Sequence, residues 1–162
     1  MEKLRTEIQL LLKLFKLRKL NKAELFNKNL IKNYPKTVYL YNILGLILIE
    51  QKKIDEAIQC YKNAIEIKPD FFPVYDNLGT AYKLKGLYDE AENYYKKAIN
   101  LNKNAPGPQN NLGNLYNLTN KSFEAIECYK KAIDINPKFF TSHYNIGIVY
   151  KNLGMFKEAK KI

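Results

Sequence analysis

The sequence contains few of the side chains that enzymes use for catalysis and metal binding. Its 162 residues include one histidine, two cysteines and no tryptophan. The histidine, His143, has no nucleophile or second ligand beside it in the sequence, so we interpret it as a packing residue. No Cys/His spacing predicts a zinc site, and no glycine-rich loop predicts phosphate binding. We therefore expect no catalytic residue, no metal and no cofactor, and predict that this chain alone is not an enzyme.

Long apolar runs are also missing. No stretch of about 18 apolar residues is free of charge, because lysines and an arginine interrupt the N-terminal leucines. The sequence therefore predicts neither a membrane span nor a secretory signal. We expect a cytoplasmic protein in which Cys60 and Cys128 are reduced thiols.

Acidic residues are fewer than basic ones, which gives a formal net charge of +11. Residues 1–36 carry +7 of this charge and residues 37–162 only +4. In the second part lysines stand beside acids, a mixture that is typical of solvated helix surfaces. Binding to phosphates requires a clustered basic stripe. The charge distribution therefore argues against a nucleic-acid partner.

What the sequence does have is a regular internal repeat. Residues 75–82 (YDNLGTAY) return at 109–116 (QNNLGNLY) and 143–150 (HYNIGIVY), and an earlier copy is 41–48 (YNILGLIL). An alanine follows each copy, a tyrosine and a second alanine follow most, and several units close on a proline. These positions are Ala57, Ala91, Ala125 and Ala159; Tyr61, Tyr95 and Tyr129; Ala64, Ala98 and Ala132; Pro35, Pro69 and Pro137. Such a fixed period predicts units stacked in one dimension.

Each unit contains two apolar stretches of helical period separated by a short break. The breaks lie at Lys85-Gly86, Thr119-Asn120 and Asn152-Leu153-Gly154. This pattern predicts two antiparallel helices joined by a tight turn. Glycine inside a helix costs about 0.5–1 kcal/mol relative to alanine. We therefore expect Gly79 to allow a close approach between its helix and Ala91 of the next.

The sequence resembles the tetratricopeptide repeat family. The residues that match the family pattern are Tyr75, Leu78, Gly79, Tyr82, Ala91, Tyr95 and Ala98. The resemblance implies an all-α, right-handed solenoid of stacked antiparallel helix pairs over residues 1–162, with full repeats at 38–71, 72–105 and 106–139. The pattern departs at Lys103, where the closing proline is missing, and at Gln109, where a large apolar residue has become polar. Both departures suggest local looseness.

The two ends of the predicted array are irregular. Residues 1–37 keep the repeat spacing without its signature, and Leu11 replaces the glycine. We favour a degenerate capping repeat, in which Leu4, Ile8, Leu11, Leu12 and Phe15 form a buried helix face. The alternative is a basic amphipathic helix pair that contacts an acidic membrane surface or another polyanion. We favour the capping repeat over this membrane or polyanion contact.

Residues 140–162 form a truncated fourth repeat that stops early in its second helix. We expect Ile146, Val149 and Tyr150 to lie partly uncovered. The chain would then belong to something longer, or associate with itself through this end.

In this family the first helix of each repeat lines a concave groove, and the residue before Leu-Gly faces into it. These residues are Ile43, Asn77, Asn111 and Asn145, and we call the three asparagines the asparagine ladder. An amide both donates and accepts, so the ladder could hold the main chain of an extended peptide. It is similar to the superhelical region of O-linked N-acetylglucosamine transferases, whose inner asparagines hold substrate peptides. The candidate groove comprises Asn42, Asp76, Asn77, Thr80, Lys83, Asn110, Asn111, Asn114, Asn117, Tyr144 and Asn145.

The sequence therefore predicts a scaffold that binds an extended peptide or a protein partner in this groove. A second hypothesis is the substrate-recruiting region of a larger glycosyltransferase or sulfotransferase. A third is the basic N-terminal contact to a membrane or polyanion. At about 1 kcal/mol net per hydrogen bond, three amides supply about 3 kcal/mol, which is less than a millimolar complex requires. We therefore expect weak binding unless further contacts contribute.

Overall fold

The computed structural model describes residues 2–159, and within this range the chain forms ten α-helices and no β-strand. They are α1 (Glu2–Lys16), α2 (Leu20–Asn33), α3 (Val38–Glu50), α4 (Ile54–Ile67), α5 (Phe72–Leu84), α6 (Tyr88–Leu101), α7 (Pro106–Leu118), α8 (Ser122–Ile135), α9 (Phe140–Asn152) and α10 (Phe156–Ala159). The prediction of an all-α fold is confirmed. None of these described helices has the length and hydropathy that crossing a membrane requires.

The helices stack in pairs. We call α3, α5, α7 and α9 the first helices, and α4, α6 and α8 the second helices. Helices α3, α5 and α7 each pack most extensively on the second helix that follows, and each also contacts the next first helix. Each second helix packs in turn on the first helix of the next pair. The resulting solenoid places consecutive first helices side by side along one surface.

The turns inside the pairs fall at one repeat position. Gly86 and Gly154 adopt positive φ angles of 78° and 72° there. Arg18, Lys52 and Asn120 adopt 58°, 63° and 60° at the same position, although the left-handed region disfavours residues with a Cβ. The breaks that the sequence indicates in the last three units are therefore confirmed as turns. The first pair turns in the same register.

The recurrent spacing of glycine and tyrosine has a direct steric reason. A Cβ added to Gly113 would lie 2.7 Å from Cε1 of Tyr129, and one added to Gly79 would lie 2.7 Å from Cδ1 of Tyr95. Both tyrosines are almost completely buried on the second helix of the same pair. The glycine therefore makes room for a tyrosine ring. The sequence indicated a close approach between Gly79 and Ala91, whereas the atoms nearest to a Cβ at Gly79 belong to Tyr95.

The N-terminal helix pair covers the first side of the array. Leu11 of α1 is completely buried in a cluster that includes Leu40 and Ile47 of α3. Phe15 is half-buried beside them, whereas Leu12 is exposed. The apolar face of α1 therefore packs on the repeats, with Leu12 at its margin.

The last described helices differ from expectation. Ile146, Val149 and Tyr150 are buried, and the prediction that they lie uncovered was wrong. They form the face of α9 that packs on α8 and beneath Met155, so they do not face the end of the array. A different face of α9 is exposed and contains Phe140, Tyr144 and Ile148, and Phe156 on α10 is exposed as well. Self-association through this end stays a prediction, and these are the residues that would support it.

Candidate functional site

A row of side-chain hydrogen bonds joins neighbouring first helices. The amide of Asn77 on α5 donates to Oδ1 of Asn42 on α3 across 2.8 Å. One repeat later, the amide of Asn111 on α7 donates to both carboxylate oxygens of Asp76 on α5, at 2.9 and 3.1 Å. All four side chains are half-buried. The structure therefore brings these predicted groove residues together on one surface, which we call the first-helix surface.

The third rung follows the same pattern with more partners. The amide of Asn145 on α9 donates to Oδ1 of Asn110 at 3.0 Å and to Oδ1 of Asn114 at 2.9 Å, both on α7. The Asn110 oxygen also accepts a bond from the hydroxyl of Ser142 at 3.0 Å. Ser142 is completely buried and Asn110 is 5% exposed. Asn110 therefore lies inside the junction between two repeats, and Ser142 is a member of this network that sequence reasoning missed.

These bonds determine what the asparagine ladder can offer a ligand. Asn77, Asn111 and Asn145 use amide hydrogens to bind the preceding repeat. Their Oδ1 atoms accept no hydrogen bond from the described part of the chain, and none of them is a buried atom without a partner. The ladder therefore presents mainly acceptors. From the sequence we expected each amide both to donate to a ligand and to accept from it, whereas here the amide nitrogens already donate to the preceding repeat.

Two further predicted groove residues each form a hydrogen bond between the two helices of their own repeat. The hydroxyl of Thr80 on α5 lies 3.1 Å from the hydroxyl of Tyr95 on α6. At the same repeat position, Oδ1 of Asn114 on α7 accepts a 2.8 Å bond from the hydroxyl of Tyr129 on α8. Buried hydroxyl groups need such partners, because an unpaired one costs about 1–3 kcal/mol. Thr80 and Asn114 therefore have a structural role as well as a place on the first-helix surface.

The earliest of these repeats lacks that bond. Leu46 stands at the position of Thr80, and the hydroxyl of Tyr61 is buried without a partner. Burial also raises the pKa of the Tyr61 hydroxyl far above its usual value. A polar group in this repeat is therefore desolvated without compensation.

The first-helix surface carries one pair of partly desolvated opposite charges. Burial raises the pKa of the Asp76 carboxyl, while the hydrogen bond from Asn111 and the charge of Lys83 oppose that shift. Burial lowers the pKa of the Lys83 ammonium, and the charge of Asp76 opposes it. Both side chains are half-buried. The surface is otherwise amide-rich, so these two groups dominate its local electrostatics.

The remaining predicted residues have different surroundings. Asn117 is half-buried, and Tyr144 is 71% exposed at the last described repeat. Ile43 is only 7% exposed and packs in the cluster that contains Leu11. The prediction that Ile43 faces an open groove was wrong. Ile43 packs in one cluster with Leu11 of α1, so the side chain at this position is buried in an apolar contact. In the later repeats the equivalent asparagines form hydrogen bonds to the preceding first helix.

His143 has a structural partner. Its Nε2 atom lies 2.9 Å from the carbonyl oxygen of Pro137, just as the hydroxyl of Tyr75 donates to the carbonyl oxygen of Pro69 at 2.7 Å. Both side chains therefore anchor the turn that precedes their repeat. This agrees with the interpretation of His143 as a packing residue. Gln109 occupies the same position in the repeat between them, after the unit in which the closing proline is missing.

Family models match most of the regular repeats. A model described as TPR repeat matches residues 45–86 and 113–154, and a model described as Tetratricopeptide repeat matches residues 72–104. The chain belongs to the tetratricopeptide repeat family. It is accordingly a protein-interaction scaffold. Residues 2–159 consist of the family's helix pairs, with no catalytic domain and no cluster of three acidic, histidine or cysteine side chains that could hold a metal ion.

Solved tetratricopeptide structures share this fold. The chain is similar to the crystal structure of MamA, with a TM-score of 0.76 and 26% identity over 92% of this chain and 87% of MamA. It is also similar to TTC0263, a thermophilic TPR protein in Thermus thermophilus, with a TM-score of 0.80 and 25% identity over 86% of this chain and 77% of that one. No curated protein sequence matches the chain. The likeness of the asparagine ladder to that of the glycosyltransferases stays a prediction.

Proposed function

We propose that this scaffold binds the main chain of an extended peptide along the first-helix surface. The observation that supports the proposal is a row of side-chain oxygens, on Asn77, Asn111 and Asn145, that accept no hydrogen bond within residues 2–159 while their amide nitrogens donate to the preceding repeat. Each oxygen can accept a hydrogen bond from a peptide N–H, a group that every residue except proline provides. Recognition would then depend on the ligand's backbone more than on its side chains.

The ladder is preorganised for this role. The amide nitrogen of Asn111 is held by Asp76, and that of Asn145 by Asn110 and Asn114, so each side chain has one preferred orientation. A ligand therefore does not have to order these side chains when it binds, which reduces the entropic cost of the complex.

The spacing also suits one ligand conformation. Packed helices lie roughly 8–10 Å apart. A peptide in the polyproline II conformation rises about 3.1 Å per residue with three residues per turn, so it presents an equivalent N–H about every 9 Å. We infer that a ligand of about seven residues contacts all three rungs. The exposed ring of Tyr144 provides an apolar contact beside the last rung.

The test compares variants of the ladder with a control on the outer surface. Peptides selected from a random displayed library on the wild-type chain would be titrated by fluorescence polarisation. Each of Asn77→Ala, Asn111→Ala and Asn145→Ala should weaken binding about fivefold, because one hydrogen bond contributes about 1 kcal/mol. Asn93→Ala, at an exposed position on α6, should leave the affinity unchanged.

Backbone substitution in the ligand gives the sharper result. N-methylation of every third residue should abolish binding in one register and leave it intact in the other two, because only one set of N–H groups faces the ladder. Circular dichroism must show that each variant is folded, since the same amides join the repeats. Equal affinity for the wild-type chain and the ladder variants would refute the proposal.

A further inference from the structure

One repeat contains a cluster of aromatic rings between its own two helices. In this repeat, formed by α5 and α6, the rings of Tyr82 and Tyr94 stack at a centroid distance of 5.2 Å and an angle of 4°. The ring of Tyr75 lies 6.5 Å from that of Tyr94. The ammonium of Lys97 lies 5.2 Å from the Tyr94 centroid. In this repeat a lysine ammonium therefore lies above a pair of stacked tyrosine rings.

The next repeat has lost two of these three rings. Gln109 stands at the repeat position of Tyr75, and Cys128 stands at that of Tyr94. Tyr116 remains in the place of Tyr82. A cavity of about 360 Å³ opens here between α6 and α8, and we call it the α6–α8 cleft. Its lining residues are Lys96, Ile99, Gln109, Leu112, Tyr116, Glu124, Glu127, Cys128 and Lys131.

The cleft lies where two rings of the preceding repeat are missing together. Cys60 occupies the position of Cys128 in the repeat of α3 and α4, but there Tyr41 keeps the ring that Gln109 has lost. Both Cys60 and Tyr41 pack against the core cluster of that repeat. That repeat also has Leu48 at the position of Tyr82 and Tyr116, so it differs from the cleft at more than one residue.

The surroundings of the cleft are suited to a neutral ring. Burial raises the pKa of the Cys128 thiol to about 11, so this part of the lining is uncharged at neutral pH. The hydroxyl of Tyr116 donates a 2.9 Å bond to Glu92, which fixes the orientation of its ring. The ammonium of Lys121 lies 5.5 Å from the centroid of that ring, so a stacked occupant would use the face away from Lys121. An adjoining cavity of about 400 Å³ shares Ile99, Gln109 and Lys131 with the cleft, and each of the two has a volume within the range typical of ligand sites.

The charges in the cleft also indicate a preferred occupant. Lys131 corresponds to Lys97 of the preceding repeat and makes no ion pair within residues 2–159. Its ammonium is therefore available to a ring face, which carries negative electrostatic potential. Lys96, which pairs with Glu92, and the carboxylates of Glu124 and Glu127 also line the cleft, so its charged groups balance and favour an occupant without net charge. A neutral aromatic side chain fits both conditions, whereas a phosphorylated tyrosine does not.

We propose that the α6–α8 cleft binds a tyrosine or phenylalanine side chain of a partner polypeptide. The ring stacks on Tyr116 as Tyr94 stacks on Tyr82, beneath the ammonium of Lys131 as Tyr94 lies beneath Lys97. The cleft lies between second helices, so this contact does not depend on peptide binding along the first-helix surface. A single partner could use both sites, with the aromatic contact adding affinity that the ladder alone does not supply.

N-acetyl-L-tyrosinamide is a suitable probe. In amide proton–nitrogen correlation spectra of the full chain, it should cause saturable shifts at Ile99, Gln109, Cys128 and Lys131, and N-acetyl-L-leucinamide should cause much smaller ones. Lys131→Ala should weaken tyrosinamide binding about two- to fivefold, the contribution expected of an exposed cation–π contact. The matched control Lys97→Ala should have no effect on the probe, because Lys97 covers a ring of the chain itself.

A filled cleft gives the complementary test. Gln109→Tyr combined with Cys128→Tyr reproduces residues that the preceding repeat already accommodates at these positions, and it should abolish the shifts. Equal effects of Lys131→Ala and Lys97→Ala would overturn the proposal even if this double variant failed to fold. So would equal binding of leucinamide, stronger binding of O-phospho-L-tyrosine, or saturable shifts that appear only on the first-helix surface.

Discussion

The same substitution should have opposite effects at two equivalent glycines. Gly113 and Gly147 occupy the same repeat position, and both lie inside a first helix. A Cβ at Gly113 would lie 2.7 Å from the buried ring of Tyr129, whereas a Cβ at Gly147 would meet no heavy atom of residues 2–159 within 4 Å. We expect Gly113→Ala to destabilise the chain and Gly147→Ala to stabilise it.

The magnitudes follow from two terms. Alanine stabilises a helix interior by about 0.5–1 kcal/mol relative to glycine, and this gain is common to both sites. Overpacking of a core costs about 1–3 kcal/mol, and this cost applies only at Gly113 because the Tyr129 ring is closely surrounded and cannot withdraw. The two variants should therefore differ in free energy of unfolding by about 1–3 kcal/mol, which isolates the steric contribution of the ring.

Urea denaturation followed by far-ultraviolet circular dichroism measures this difference. Repeat arrays can unfold from one end, so amide hydrogen exchange in α9 should accompany the denaturation of Gly147→Ala. The Gly113→Ala penalty should shrink when Tyr129→Leu is also present, because the clashing ring is then gone. If Gly113→Ala proved as harmless as Gly147→Ala, the tyrosine ring would not be the reason for the repeated glycine.

Two further predictions concern buried polar groups. Tyr61→Phe should leave stability unchanged or raise it, because the Tyr61 hydroxyl is buried without a hydrogen-bond partner among the described residues. Tyr129→Phe should cost about 1 kcal/mol, because it removes the hydrogen bond to Asn114. Urea denaturation of both variants tests this, and equal losses of stability would contradict it. Hydrogen bonds from lysines lower the pKa of Glu24 from 4.5 to about 2, so its contribution to stability is complete above pH 4.5 and is lost as the pH falls towards 2. Because the lysines are partly exposed, we expect about 1–2 kcal/mol from this group. Glu24→Gln should remove that part of the acid dependence, and an unchanged pH profile of unfolding would argue against it.

The repeat pattern predicted the helix pairs well because it is a local signal. Leu-Gly, the alanines and the turn residues each act within one unit, and their fixed period specifies how the units stack. The side chain that packs against Gly79 could not be identified from such a local signal. Tyr95 belongs to the following helix, and only the packed pair shows that the atoms nearest to the glycine are those of its ring.

The sequence predicted the row of asparagines in the candidate site but not the hydrogen bonds that these side chains form. The spacing identified Asn77, Asn111 and Asn145 as one row, and the structure places all three between neighbouring first helices. Their donors are engaged by residues 31 or 35 positions earlier in the chain. No local pattern reveals such bonds, because they exist only after two repeats have packed together.

The α6–α8 cleft illustrates the same division. The sequence marks Gln109 as a departure from the repeat, and Cys128 is visible as a smaller residue at the position of Tyr94. These two positions lie on different helices, α7 and α8. The cavity lies where the fold brings both losses to one place beside Tyr116.

The sequence by itself determined the period, the all-α class and the division into helix pairs, because these depend on local propensity and on the order of apolar residues. The tertiary structure alone decided which atoms of the asparagine ladder remain unpaired and which face of α9 is exposed. It also decided that an open cleft lies where an aromatic core would otherwise be. The physical reason is that packing between repeats pairs side chains that are remote in the chain, and only those contacts show which groups are left for a partner.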